Sequence, residues 1–305
     1  MQQTENDYPG FWKAWMTAAR PKTWGVALAP VFIGLSCALM QTGSIDLKVA
    51  LATALLSVLM QAITNMENDA GYTKKKAEKG NRKGLPRATS LGWLTVAEVE
   101  RAIRLLAVAA IVDTAYLISV GGAVMALITA ASIICAYCYM GGPKPLAYTP
   151  FSELCVFLFF GLTAVCGTFY LQTGKVTIAC AVMACAMGMI ATAVLVVNNY
   201  RDIAHDASIG RKTLAVLMGE RRTEALYEAL LTGPFILTAA LAIGLKAPAF
   251  IIVAAALPQA RKLIRTLPEK RAYELNPVLF ATVKLELLFS ALTTLGAVLH
   301  WLIAK

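Results

Sequence analysis

The sequence predicts an all-α, polytopic membrane protein in which nine transmembrane helices form a single domain over residues 1–305. Of the 305 residues, 58% are hydrophobic and only 15% are charged. A typical soluble protein is about 45–50% apolar and about 25% charged. The apolar residues also come in runs of roughly 17–25 residues, the length with which an α-helix crosses the hydrocarbon core of a bilayer.

The N-terminal segment, residues 1–21, is predicted to be an interfacial helix that leads into the first span. Trp12 and Trp15 are the residue type found at membrane surfaces, and Arg20 follows them. The nine predicted spans follow at residues 23–41, 48–68, 99–119, 122–141, 151–172, 176–198, 223–243, 247–264 and 280–302. The eighth is the weakest, because it is short and contains Pro258.

The distribution of Lys and Arg predicts the orientation. With the N-terminus in the cytoplasm and the C-terminus outside, all but four of the 28 lysines and arginines fall on or near the inner side. This bias agrees with the positive-inside rule and predicts a multi-pass protein of the inner (cytoplasmic) cell membrane. The net charge of +10 lies in short loops between spans, which favours anionic lipid or substrate over nucleic acid.

A row of oxygen-bearing side chains follows the sixth span. Asn198, Asp202 and Asp206 are spaced four residues apart, so on a helix they share one face. Carboxylate and amide oxygens are the ligands that Mg²⁺ prefers. Arg201 and Lys212 lie beside them, which predicts a metal-bridged diphosphate site in a cytoplasmic loop over residues 198–222.

A second row of the same kind follows the second span. Asn65 and Asp69 repeat the Asn-x-x-x-Asp pattern, and a basic loop comes next, giving a second motif loop over residues 65–90. Both rows fall on the cytoplasmic side of the predicted topology. Two facing helix ends of this kind are predicted to hold metal and diphosphate between them. The alternative is that each row is an ordinary solvated helix end.

Three further cations are predicted to contact a diphosphate: Lys144 between two prolines, Arg87 after Pro86, and Arg20 before the first span. Simple topology determinants are the alternative for all three. Of the carboxyl groups in or beside spans, Glu286 lies near Lys284 and is expected to reach the inner interface, whereas Glu153 borders the loop that contains Lys144. The seven cysteines all lie in apolar runs and are expected to be packing residues.

These features together resemble the UbiA superfamily of intramembrane aromatic prenyltransferases and, within it, the 1,4-dihydroxy-2-naphthoate polyprenyltransferases of menaquinone synthesis. The resemblance covers most of the chain. It rests on blocks at residues 18–23, 65–69, 141–148, 159–161, 167–174, 198–206 and 210–216.

The resemblance implies a nine-helix UbiA bundle with an active site that opens toward the cytoplasm. It implies that Asp69, Asp202 and Asp206 are catalytic and that they bind Mg²⁺ with Asn65. It also implies a diphosphate site built from Asn65, Asn198, Lys144, Arg201, Lys212, Arg87 and Arg20. The implied reaction transfers a polyprenyl group from polyprenyl diphosphate to 1,4-dihydroxy-2-naphthoate. Carbon dioxide and diphosphate are lost, demethylmenaquinone is formed, and no obligate protein partner is expected.

One position departs from the family pattern. The first motif of the family carries a second aspartate three or four residues after the first, where this chain has Tyr72 and Thr73. A phenol and a hydroxyl are poor Mg²⁺ ligands beside a carboxylate. The departure leaves open a related enzyme with another acceptor (4-hydroxybenzoate, homogentisate or a haem), or a relative of low activity.

A polytopic transporter of organic anions is the alternative from a different class of protein. Inverted repeats would favour it. Here the two charged rows lie four spans apart, and an even offset keeps the orientation of a repeat. The sequence therefore favours the enzyme over the transporter.

Overall fold

The computed structural model describes residues 8–74, 86–140 and 145–303, and this part of the chain is helical throughout, with no β-strand. Eleven α-helices form within these ranges, joined by short turns and short 3₁₀ segments. They are α1 (Phe11–Ala19), α2 (Gly25–Thr42), α3 (Leu47–Lys74), α4 (Val96–Met140), α5 (Ser152–Val156), α6 (Ala164–Thr173), α7 (Ile178–Arg201), α8 (Ile203–Ser208), α9 (Leu214–Gly244), α10 (Leu257–Thr266) and α11 (Leu275–Ile303). A π-helical stretch, Phe157–Thr163, joins α5 to α6.

Among the described residues, seven helical stretches are long and apolar enough to cross a membrane. The chain is therefore a multi-pass membrane protein. The predicted third and fourth spans lie within α4, whose backbone leaves helical geometry at Gly122 (φ 60°, ψ −147°). The predicted eighth span is a 3₁₀ helix, Pro248–Ala256, followed by α10, and is not one of the seven. The count of nine spans and the orientation of the termini remain predictions.

The two motif segments are more helical than the sequence predicted. We expected loops over residues 65–90 and 198–222, but α3 continues to Lys74 and α7 to Arg201. Residues 203–208 form α8, and α9 begins at Leu214, where the Thr213 side chain accepts a hydrogen bond from the Val216 N–H. Such a cap satisfies a backbone donor that a helix start otherwise leaves without a partner. The continuation of α3 keeps Asn65 and Asp69 on one helical face. The second row crosses the break between α7 and α8 at Asp202 (φ −101°, ψ 9°), so its predicted single helical face is interrupted.

The helix α7 lies at the centre of the bundle. In its most apolar 18-residue stretch 72% of the residues are buried, the largest fraction among the seven candidate spans. Small residues allow close packing around it, as is usual in membrane helix pairs. A Cβ added at Gly188 would come within 2.8 Å of the Phe157 carbonyl oxygen, and one added at Gly161 within 2.6 Å of the Gly188 Cα. The middle of α7 is therefore packed directly against the π-helical stretch.

Polar side chains tie the other central helices together. The Tyr227 and Thr282 hydroxyls are 2.7 Å apart and join α9 to α11, while Ser290 Oγ donates to the Ala29 carbonyl and joins α11 to α2. Glu286 lies on the same face of α11, one turn from each. Its side chain is completely buried, so the expectation that it reaches the interface was wrong. Neither of its carboxyl oxygens has a hydrogen-bond partner among the described residues.

We expect Gly188→Ala to destabilise the protein by about 1–3 kcal/mol, because the added methyl group has no space and the backbone must move. Thermal unfolding in nanodiscs would measure the loss. Gly244→Ala is the matched control, since a Cβ at this helical position meets nothing within 4 Å. Equal melting temperatures for the two variants would contradict the close packing of α7.

We expect Glu286→Leu to raise the melting temperature by about 2–4 °C, since removing an unsatisfied buried polar group relieves about 1 kcal/mol or more. The same change at Glu228, an exposed position on α9, should leave the melting temperature unchanged. A lower melting temperature for Glu286→Leu would mean that the carboxyl group has a stabilising partner.

Candidate active site

The second row is organised by one guanidinium group at the end of α7. Arg201 Nε and Nη2 donate to the two carboxylate oxygens of Asp202 at 3.0 and 2.8 Å. Arg201 Nη2 also donates to Asn198 Oδ1 at 2.7 Å, and Nη1 donates to Asn276 Oδ1 at 2.9 Å. Arg201 and Asp202 are both buried. Oxygens from α7 and α11 therefore already converge on one positive charge.

Asp206 on α8 has a second arginine. Arg211 Nη1 donates to Asp206 Oδ1 at 2.8 Å, and Nη2 donates to the Ala147 carbonyl at 2.7 Å. The Arg211 guanidinium also lies over the Tyr148 ring, 4.9 Å from its centroid. Burial, and next the nearby Tyr72, raise the pKa of the Tyr148 phenol, while Arg211 lowers it. Tyr148 therefore stays a neutral hydroxyl near Asp206 at physiological pH.

The first row makes a different set of contacts. The Asn65 amide donates to the Ala19 carbonyl at 2.9 Å and to Thr23 Oγ1 at 3.0 Å, which holds the entrance to α2. Asp69 is completely buried and accepts three hydrogen bonds from the turn after Pro86. The donors are the Ala88 N–H to Oδ2 at 2.9 Å, and the Thr89 N–H and hydroxyl to Oδ1 at 2.9 and 2.6 Å.

Tyr72 and Thr73, which depart from the family pattern, make specific contacts in the structure. Thr73 Oγ1 lies 2.7 Å from Thr89 Oγ1 and 2.9 Å from Ser90 Oγ, so it joins Asp69 in holding the same turn. Tyr72 is buried, and the Arg87 guanidinium lies over its ring, 3.4 Å from the centroid. At such a distance a cation–π contact is favourable.

The two rows meet at one end of the bundle. Tyr72, Arg87, Arg211 and Asp206 all act on the charge of Tyr148, which places both rows within electrostatic range of one phenol. In the part of the chain that the structure describes, no group of three His, Cys, Asp or Glu side chains is close enough to share one metal ion. Asp69, Asp202 and Asp206 are thus not gathered into a single three-carboxylate centre.

Glu153 adds a buried carboxylate beside the second row. Its Oε1 accepts from Asn199 Nδ2 at 2.8 Å and its Oε2 accepts from Ser152 Oγ at 2.7 Å. The sequence singled out Glu153 by its position but gave no sign of its link to Asn199. It also missed Asn276, because only the packing of α11 against α7 brings that amide to Arg201.

The remaining cations that were predicted to bind diphosphate lie in different surroundings. Arg20 follows α1 in a left-handed conformation (φ 50°, ψ 60°), at the turn that Asn65 holds. The Lys212 backbone N–H donates to the Tyr148 carbonyl at 3.0 Å, while its side chain is exposed. Lys144 lies outside the described residues.

A cavity of about 210 Å³ lies at the opposite end of the bundle. It is lined by residues such as Gln41 at the end of α2, Thr177 before α7 and His300 near the end of α11. It touches no residue of either row. The cavity is therefore separate from the charged side chains of the two rows.

Carboxylates, amides and arginines of the two rows lie at one end of a membrane helix bundle, and side chains of these types are suited to binding a diphosphate and a divalent cation. Residues 27–301 match the UbiA prenyltransferase family, and the chain belongs to that family. It is a prenyltransferase.

Within this family, the chain is similar to several proteins of one name. The chain is 33% identical to the 1,4-dihydroxy-2-naphthoate octaprenyltransferase of Escherichia coli K12, with 93% of this chain and 94% of the relative covered. It is 36% identical to the protein of the same name from Mycobacterium tuberculosis H37Rv, with 93% and 96% covered. The solved structure of a UbiA homolog from Archaeoglobus fulgidus bound to GPP and Mg²⁺ has the same fold. Its TM-score is 0.68 at 18% identity, and 93% of this chain and 99% of that chain are covered.

Proposed function

We propose that this prenyltransferase transfers a polyprenyl group from polyprenyl diphosphate to 1,4-dihydroxy-2-naphthoate, with loss of CO₂ and diphosphate, to give demethylmenaquinone. The observation that carries the proposal is the presence of two polar rows at one end of the bundle, in a chain whose relatives are named for this activity. We place the site on the cytoplasmic side of the inner membrane, because the positive-inside rule puts both rows there.

The second row fits a magnesium ion. Asn198 and Asp202 offer hard oxygen ligands that already surround one cationic group, and Asp206 follows one turn further along the chain. When bound, Mg²⁺ supplies neutralisation of the charge that develops on the departing diphosphate. Asn198, Asp202 and Asp206 would hold it. Asn65 and Asp69 were also predicted as ligands, but their contacts favour another role, argued below.

The protein groups supply the rest of the charge balance. Arg201, Arg211 and Arg87 are fixed in place by hydrogen bonds or ring stacking, so they need little reorganisation to face an anion. We assign diphosphate binding to these arginines together with Lys212, Lys144 and Arg20. Breaking the allylic C–O bond leaves a carbocation, and the half-buried Tyr139 lies near this end of the bundle. Its ring face suits a developing cation.

Glu153 lies at the edge of the site, with each oxygen already hydrogen-bonded, which suits a group that fixes Asn199 rather than one that takes a proton. We therefore assign Glu153 as a positioning residue for the second row. An organic-anion transporter is not favoured, because the family and its named relatives are enzymes.

The test is turnover in nanodiscs with 1,4-dihydroxy-2-naphthoate, a labelled polyprenyl diphosphate and Mg²⁺. We expect release of diphosphate with a prenylated naphthoquinol, and loss of both products on addition of EDTA. Asp202→Asn should lower kcat/KM by about 100-fold or more, because it removes charge that stabilises the transition state.

Glu228→Gln is the control for this test, since Glu228 is exposed on α9 and contacts neither row. Its turnover should match that of the unchanged protein. Diphosphate release with 4-hydroxybenzoate but not with the naphthoate would contradict the proposed acceptor while keeping the reaction class.

A further inference from the structure

The two Asn-x-x-x-Asp rows are alike in sequence for two positions and differ at the third. The second row continues four residues on with Asp206, whereas the first continues with Thr73. The rows differ in the same way in their contacts. The second row faces guanidinium groups, and the first row faces the backbone of its own neighbouring turns.

The oxygen atoms of Asp69 in the first row are already engaged in hydrogen bonds. Asp69 Oδ1 accepts two hydrogen bonds and Oδ2 accepts a third. A carboxylate has about four lone-pair positions, so three of them are occupied. The Thr73 hydroxyl is likewise within hydrogen-bond distance of Thr89 and Ser90. A Mg²⁺ ion at this row would have to displace the turn that Asp69 holds, and would gain only one carboxylate.

Two backbone contacts of the first row each lie next to an arginine in the chain. Asn65 holds the carbonyl of Ala19, which precedes Arg20. Asp69 holds the N–H of Ala88, which follows Arg87. Arg20 adopts φ 50°, a backbone conformation that a non-glycine residue keeps only when its surroundings impose it. The first row therefore fixes the backbone on which these two cations are carried.

Of the two arginines, the side chain of Arg87 is held more closely by its surroundings than that of Arg20. Its side chain is buried and its guanidinium lies on the Tyr72 ring at 3.4 Å. It also acts on Tyr148, as do Arg211 and Asp206 of the other row. A planar cation held on a ring next to the metal-binding row is suited to a phosphate group, because guanidinium groups bind phosphate oxygens in pairs.

We propose that the two rows divide the work: the Asn198–Asp202–Asp206 row alone holds a divalent cation, and the Asn65–Asp69–Thr73 row positions Arg87 as a fixed protein cation for the diphosphate. The chain then binds its donor with one metal ion rather than one at each row. This inference rests on the proposed function, since it concerns how the same site binds the donor.

The experiment measures bound Mn²⁺ per chain in nanodiscs, with a hydrolysis-resistant farnesyl thiolodiphosphate at saturation. We expect about one Mn²⁺ per chain, the number that one oxygen-ligand row holds. Asp202→Asn should weaken Mn²⁺ binding by about tenfold or more, whereas Asp69→Asn, the matched change in the other row, should leave the Mn²⁺ Kd within about twofold. Binding of about two Mn²⁺ ions per chain, or loss of Mn²⁺ from a folded Asp69→Asn variant, would overturn the inference.

A second variant keeps the inference testable if Asp69→Asn fails to fold. Arg87→Leu should weaken binding of the thiolodiphosphate by about tenfold or more while the Mn²⁺ ratio stays at about one. Arg101→Leu is the control, because Arg101 is exposed near the start of α4. Unchanged thiolodiphosphate affinity in Arg87→Leu would overturn the role given to Arg87.

The outcomes separate the two proposals. A wild-type protein that binds the thiolodiphosphate with about two ions keeps the proposed function and removes this inference. A wild-type protein that binds neither the thiolodiphosphate nor Mn²⁺ removes both.

Discussion

The neutralisation of buried carboxylates governs the architecture of this site. Asp69, Asp202 and Asp206 are all almost completely removed from solvent at the ends of membrane helices. An isolated buried charge costs several kcal/mol, so each carboxylate needs partners that are fixed by the fold. Asp202 and Asp206 each have an arginine, and Asp69 has three neutral donors. The positions of the surrounding turns follow from these requirements.

Neutralisation by an arginine and hydrogen bonding by neutral donors have different chemical consequences. The partners of Asp202 and Asp206 are arginine side chains, which a change of rotamer separates from the carboxylates without unfolding a turn. Backbone N–H groups cannot leave Asp69 without unfolding the turn at residues 88–89. The carboxylate of the first row is therefore tied more firmly to the backbone than the carboxylates of the second row.

The packing of α7 explains how the charged residues at its carbonyl end are held in position. Gly161 and Gly188 allow the π-helical stretch to lie directly against the middle of α7, and the Arg201 contact to Asn276 ties the carbonyl end of α7 to α11. Helices in a bilayer associate through close van der Waals packing and hydrogen bonds rather than through a hydrophobic driving force. Asn198, Arg201 and Asp202 are positioned by this packing before any substrate arrives.

The sequence by itself determined the class of fold and predicted which side chains form the site. Apolar runs of fixed length require helices in a membrane, because no other element satisfies its backbone there. The four-residue spacing requires Asn198, Asp202 and Asp206 to share a face wherever the helix continues. The tertiary structure alone decided how those residues are paired. Asn276 reaches Arg201, Ala88 reaches Asp69, and Arg87 reaches Tyr72 across long stretches of chain. Contacts of this kind depend on how helices pack against one another, which local spacing does not encode. For the same reason the sequence treated the two rows as equivalent, and only the packed structure shows that one faces arginines and the other faces its own backbone.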